Sequence, residues 1–213
     1  LTMIVSDVNF GSADPTISPA DAAATAVTNN SWGNIVQLTA EGQPVGIDIQ
    51  GQINTATGID LRAAYINMTK STDTGAPNPY LKTGMLFNTT VKADGLVDTV
   101  TLQGNRLAAA EVNGEIKLYA KYDSNNSTNS GKIALSDGVV DAVGNVNIEA
   151  GKTVAIVNGD IDASGKVDII ANKNRINGDD VGEVNLSSNS NVYAGGNIYI
   201  AGDKSINLQS TII

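Results

Sequence analysis

Apolar and polar residues alternate with a period of two over most of the chain, the signature of strands with one face buried. In residues 140–150, Val140, Ala142, Val146, Ile148 and Ala150 fall on one side, while Asp141, Asn145, Asn147 and Glu149 fall on the other. Gly144 interrupts the alternation where the chain must bend, because glycine adopts backbone angles that other residues resist. The pattern predicts a strand, a bend and a second strand.

That phrase returns. Val140-Asp-Ala-Val-Gly-Asn-Val-Asn-Ile-Glu-Ala150 is matched by Ile161-Asp-Ala-Ser-Gly-Lys-Val-Asp-Ile-Ile-Ala171 and by Val192-Tyr-Ala-Gly-Gly-Asn-Ile-Tyr-Ile-Ala-Gly202. A looser copy runs from Ile53 to Ala63. The second half recurs alone as Gly114-Glu-Ile-Lys-Leu-Tyr-Ala120, Gly131-Lys-Ile-Ala-Leu-Ser-Asp137 and Gly182-Glu-Val-Asn-Leu-Ser-Ser188. The starting glycines 114, 131, 144, 165, 182 and 196 are unevenly spaced. An uneven period near twenty suits the coils of a parallel β-helix better than the ~40–45-residue blades of a propeller. Each coil would bury its apolar face only against its neighbours. Asn158-Gly159-Asp160 and Asn177-Gly178-Asp179 supply turn residues. Asn–Gly steps also suit hairpins, which leaves an antiparallel sandwich as the alternative. A hairpin protein has no need for repeats whose faces stay in phase, and this favours the β-helix.

The amino-terminal part reads differently. Residues 1–32 form an extension with an alternating stretch from Leu1 to Phe10, and Ser18-Pro19-Ala20-Asp21 caps either a short helix over the following Ala-rich residues or a linker. Residues 33–106 read as a less regular β region, with a strand near Gly33–Ala40, a loop over Thr72–Pro79 and renewed alternation from Gly84 to Leu102. Residues 107–213 carry the β-helix repeats, interrupted by the polar excursion Asp123–Ser130. The apolar end Ser210-Thr-Ile-Ile213 and the alternating start could each pair with a neighbouring subunit or cap their own domain.

Composition narrows the chemistry. There is no Cys and no His among 213 residues, and only 4% are aromatic. Ser-His and Cys-His triads, zinc-thiolate sites and disulfides are excluded, whereas carboxylate hydrolases are not. The formal net charge of -9 and the lack of a Lys/Arg cluster argue against nucleic acid and anionic membranes. No apolar run approaches the ~18 residues of a spanning helix. The hydrophobic 41% comes mostly from Ala, Val, Ile and Leu, which suit strands with a narrow interior.

Gly144-Asn-Val-Asn-Ile-Glu-Ala-Gly151, Gly159-Asp-Ile-Asp-Ala-Ser-Gly165 and Ala194-Gly-Gly-Asn-Ile-Tyr-Ile-Ala-Gly202 resemble the repeats of filamentous-haemagglutinin-type exoproteins, the secreted adhesins of two-partner secretion. The resemblance is clear over 107–213 and faint over 31–106. It implies an all-β, right-handed parallel β-helix and an extracellular or cell-surface rod, and it carries over no catalytic residue. That family's amino-terminal secretion domain carries Asn-Pro-Asn-type motifs. Here only Ala76-Pro77-Asn78-Pro79 comes near, so this chain is expected to lie outside that domain.

Three roles remain for the polar residues. Asp160, Asp162, Asp168, Arg175, Asp179 and Asp180 are the densest acidic and basic set, and Asp141 and Asp162 recur in phase, as a carbohydrate-active β-helix of the tailspike or lyase type would require. Tyr193 and Tyr199 are the rings nearest to them for sugar stacking. Asn177-Gly178-Asp179-Asp180 offers oxygen ligands but no calcium loop. Asn-x-Ser/Thr triplets at Asn67, Asn88, Asn125, Asn126 and Asn185 are common by chance in so Asn-rich a chain. Acidic residues on an outward face are more simply solvation. The expectation is a non-enzymatic structural or adhesive fibre segment, with no catalytic, cofactor-binding or metal residues. Its partners would be itself or a host-surface receptor or glycan, and a self-assembling filament subunit using terminal strand exchange is the alternative.

Overall fold

A computed structural model of the protein describes residues 2–5, 8–10, 36–39, 46–55, 58–70, 78–91, 97–106, 114–122, 130–172 and 182–209. The chain winds through three sheets, once per coil. The first coil holds β1 (Thr2–Val5), β2 (Val8–Phe10) and β3 (Val36–Thr39). The second holds β4 (Gly46–Ile49), β5 (Gln52–Thr55) and β6 (Ile59–Ala63). In the third, β7 (Tyr65–Met68) and β8 (Tyr80–Lys82) are followed by a hairpin, β9 (Met85–Val91) and β10 (Val97–Arg106), before β11 (Ile116–Ala120) completes the turn.

The next three coils are β12 (Lys132–Ser136), β13 (Val139–Ala142) and β14 (Val146–Ala150); β15 (Thr153–Val157), β16 (Asp160–Ala163) and β17 (Val167–Ala171); and β18 (Glu183–Ser187), β19 (Asn191–Ala194) and β20 (Ile198–Gly202). A last strand, β21 (Ser205–Leu208), opens a seventh. The first strands of the coils form a seven-stranded sheet A, the second strands a six-stranded sheet B and the third strands a six-stranded sheet C. Every pairing within these sheets is parallel, and among the described residues the hairpin alone is antiparallel. The result is a right-handed parallel β-helix, the hand that parallel crossovers favour. The described residues contain no helix. The proposed helix after Ser18, most of the Thr72–Pro79 loop and most of the Asp123–Ser130 excursion lie outside the described residues.

Register explains the core. In sheet A, Ile47, Ile66, Ile133, Val154 and Val184 stack in one column, and Ile49, Met68, Leu135, Ile156 and Leu186 in the next. Sheet B stacks Ile53, Leu81, Val140, Ile161 and Val192. Sheet C stacks Leu61, Leu118, Ile148 and Ile169 beside an alanine column, Ala63, Ala120, Ala150 and Ala171. All of these side chains are buried. Like lies on like, so one coil's fit repeats in the next, and branched aliphatics fill the interior at crystal-like density. Bulky rings would not fit such columns, which accounts for the sparse aromatics.

The repeated phrase proves to be one sheet-B strand, one corner and one sheet-C strand, taken from three successive coils. Its glycines stack: Gly165 donates its backbone N–H to Gly144 O at 2.9 Å, and Gly196 donates to Gly165 O at 2.8 Å. A Cβ on Gly144 would sit 2.9 Å from the Gly114 carbonyl carbon, so only glycine allows this approach. Gly131 and Gly182 belong to another corner, between sheets C and A, where Lys152 N–H donates to Gly131 O and Gly182 N–H to Lys152 O. The uneven glycine spacing thus interleaves two regular columns. The Asn158–Gly159 step is the corner between sheets A and B rather than a hairpin, which removes the sandwich alternative.

Sheets A and B each draw strands from residues 2–10, from 46–82 and from 132 onward. Strands β1 and β2 pair with β4 and β5 of their own chain. Between β8 and β11 the chain leaves the helix for the hairpin and returns at Gly114. Thr83 closes this gap: its hydroxyl donates to Gly114 O at 2.7 Å and accepts from Val143 N–H at 3.1 Å.

Candidate functional site

Sheet B brings the in-phase carboxylates together. Asp141 and Asp162 are register partners on adjacent strands, and Lys82 precedes them in the same row. Parallel neighbours lie about 4.8 Å apart along the ladder, so these side chains are adjacent on the outer face. Asp141 is only 7% exposed, because Tyr80 and Lys82 close over it. The Tyr80 hydroxyl donates to Asp141 Oδ2 at 2.8 Å, and Lys82 Nζ lies 3.3 Å from the same oxygen. The Lys82 ammonium also sits 5.3 Å from the Tyr80 ring centroid. This carboxylate is therefore tied to a phenol and a cation on the neighbouring strand. Tyr80 and Lys82 were not legible as its partners, since Tyr80 and Asp141 are 61 positions apart in the sequence.

The other acidic candidates divide between faces. Asp160 lies on sheet B and accepts a hydrogen bond from Asn191 Nδ2 at 2.7 Å. Asp168 lies on sheet C, paired in register with Asn147 and Tyr199. Arg175, Asp179 and Asp180, with the Asn177–Gly178 turn, lie outside the described residues. Of the six, the three described residues divide between two sheets, Asp160 and Asp162 on sheet B and Asp168 on sheet C. Retaining glycosidases need two carboxyl groups roughly 5–5.5 Å apart, one of them able to deliver a proton. Asp141 and Asp162 are register neighbours on this face, and Tyr80 and Lys82 contact Asp141 from the preceding coil. No group of three or more Asp or Glu among the described residues is placed to hold a metal ion.

Asparagine amides organise the remaining outer faces. Asn67 Nδ2 donates to Asp48 at 2.8 Å, Asn158 Nδ2 to Asp137 at 2.6 Å, Asn172 Nδ2 to Asp203 at 3.2 Å and Asn207 Nδ2 to Asn185 at 2.7 Å. Each bond joins one coil to the next, and partners 19, 21 and 22 residues apart mark coils without long insertions. Asn67 and Asn185, two of the triplet asparagines, hold ladder bonds. Sheet C adds Arg62, whose guanidinium binds both oxygens of Asp60 at 2.8 Å. The hydrogen bond and charge of Asp60 push the Arg62 pKa up from its ordinary value.

Two rings stand out on this polar surface. Tyr193 and Tyr199 are 49% and 56% exposed, on sheets B and C, with Asp162 and Asp168 as their register partners one coil back. They flank the Gly195–Asn197 corner. Ile206 and Leu208 sit at interior-column positions of β21 and are 44% and 48% exposed. Comparison with protein-family models, with curated proteins and with solved structures gives no match.

Proposed function

We propose that this chain is a non-enzymatic structural segment of an extracellular bacterial fibre, a β-helical rod of the filamentous-haemagglutinin adhesin type. The observation that carries the reading is the unbroken three-sheet ladder, whose six coil-to-coil steps in sheet A span roughly 30 Å at about 4.8 Å each. The outer carboxylates support it too, because Asp48, Asp137, Asp141, Asp160 and Asp203 are engaged in bonds between coils. Such a surface keeps a rod wet and its coils in register. The rod would act by carrying the hairpin and the corner insertions away from the cell surface, toward a receptor or glycan.

The test has two arms. Purified chain is imaged by electron microscopy and incubated with acidic and neutral polysaccharides while newly formed chain ends are measured. The expected result is narrow rods and no polysaccharide cleavage. Cleavage that disappears in both Asp141→Asn and Asp162→Asn would replace this reading with a carbohydrate-active one.

A second reading, a self-assembling filament subunit, draws on Ile206 and Leu208. These continue the columns of Val184 and Leu186, and a strand from a second copy would cover them as each coil covers the last. Particles that lengthen with protein concentration, and stop doing so in Ile206→Asp, favour the filament; uniform short particles count against it.

A further inference from the structure

We propose that Asn158 is a modification site gated by the stack, a residue whose deamidation records that the fifth coil has come apart from its neighbours at this corner. Asparagine followed by glycine is chemically labile because little hinders the next backbone nitrogen. The Gly159 nitrogen gives up its proton and bonds to Asn158 Cγ. The Cγ–Nδ2 bond breaks and Nδ2 leaves as ammonia. Water then opens the resulting succinimide at either carbonyl, leaving aspartate or isoaspartate.

The fold opposes the first step. Asn158 has φ +50°, in the left-handed region. The five-membered ring closes only when the Cα–Cβ bond and the C–N bond to Gly159 are nearly eclipsed, and the left-handed conformation holds them close to anti. Three bonds between coils keep the turn in that state. Asn158 Nδ2 donates to Asp137 Oδ1 at 2.6 Å, Asn158 N–H donates to Ser187 O at 3.1 Å, and Asn191 N–H donates to Gly159 O at 3.0 Å. Ring closure therefore requires the corner to open first.

Once formed, the product cannot restore the lock. An aspartate at 158 has no amide proton to donate, and its carboxylate would face that of Asp137 across the same short gap. Isoaspartate also adds a methylene to the backbone of a corner whose Gly159 is buried, with the Gly138 carbonyl oxygen 3.2 Å from where a Cβ would sit. The reaction turns a transient opening into a lasting one.

The test is peptide mapping of the full chain after incubation at mildly alkaline pH, folded and in urea. Asn113–Gly114 and Asn177–Gly178 in the same chain, followed in urea, give the rate of an unfolded Asn–Gly step. In the folded chain, Asn158 should convert at least roughly tenfold more slowly than in urea, the protection expected of a locally stable segment. Asp137→Gly keeps a residue suited to the left-handed turn but removes the acceptor, and should speed folded-state conversion of Asn158 several-fold without changing its rate in urea. Equal folded and urea rates at Asn158 overturn the proposal, and so does an Asp137→Gly chain whose folded rate is unchanged.

Discussion

The Thr83 hydroxyl donates to the Gly114 carbonyl at 2.7 Å although the two are 31 positions apart in the sequence. The same oxygen accepts from Val143 N–H, so one side chain joins the exit and the return of the hairpin insertion to the next coil. Thr83 is fully buried, and both of its partners need it. Thr83→Val keeps the shape and leaves a carbonyl and an N–H without that bond. It should lower stability by about 1–3 kcal/mol, read as the shift in denaturant midpoint at constant slope. Thr83→Ser should recover most of the loss.

Gly84 and Gly114 both abut Val143. Deleting residues 85–113 would leave Thr83-Gly84-Gly114-Glu115-Ile116, matching Ala142-Val143-Gly144-Asn145-Val146 in length. The shortened chain should retain the β-rich far-ultraviolet circular dichroism of the parent and unfold as cooperatively, since closing a shorter loop costs less entropy. Loss of cooperative unfolding would mean that the hairpin is part of the stack rather than cargo on it.

The corner glycines differ in tolerance. On Gly144 a Cβ would meet backbone of the previous coil at 2.9 and 3.0 Å, whereas on Gly138 it would meet the side chain of Met68, first at its terminal methyl at 3.0 Å. Gly144→Ala should therefore lower the melting temperature clearly more than Gly138→Ala. Equal effects would contradict the stacked register of this corner.

Ile148 lies in mid-column and is completely buried, whereas Ile206 is nearly half exposed. Ile148→Ala should cost about 2–5 kcal/mol and Ile206→Ala well under half of that. Chemical denaturation of the two variants separates them.

The repeats at 140–150, 161–171 and 192–202 made the coils legible because apolar residues two apart and a glycine bend leave a periodic trace. Strands β4 and β5 left a weaker trace, since Gly46, Gln50 and Gly51 break the pattern and insertions stretch the coils around them. Gly131 and Gly144 looked like members of one series. Only the three-sheet geometry separates the corner between sheets C and A from the corner between B and C. The Asp141–Asp162 pairing was legible from phase alone. Tyr80 and Lys82 were not, because an outer-face partner is chosen by stacking across sixty residues and leaves no local pattern. Among the described acidic residues of the 160–180 stretch, the corner between Ala163 and Val167 turns Asp168 onto a different sheet from Asp160 and Asp162.

The ladder bonds between successive coils run along the axis of the stack. A pull along that axis loads them one after another, so the rod would fail by peeling coils from an end while the middle stays intact. A fibre built this way yields in steps of one coil length and can recover each step when the pull relaxes.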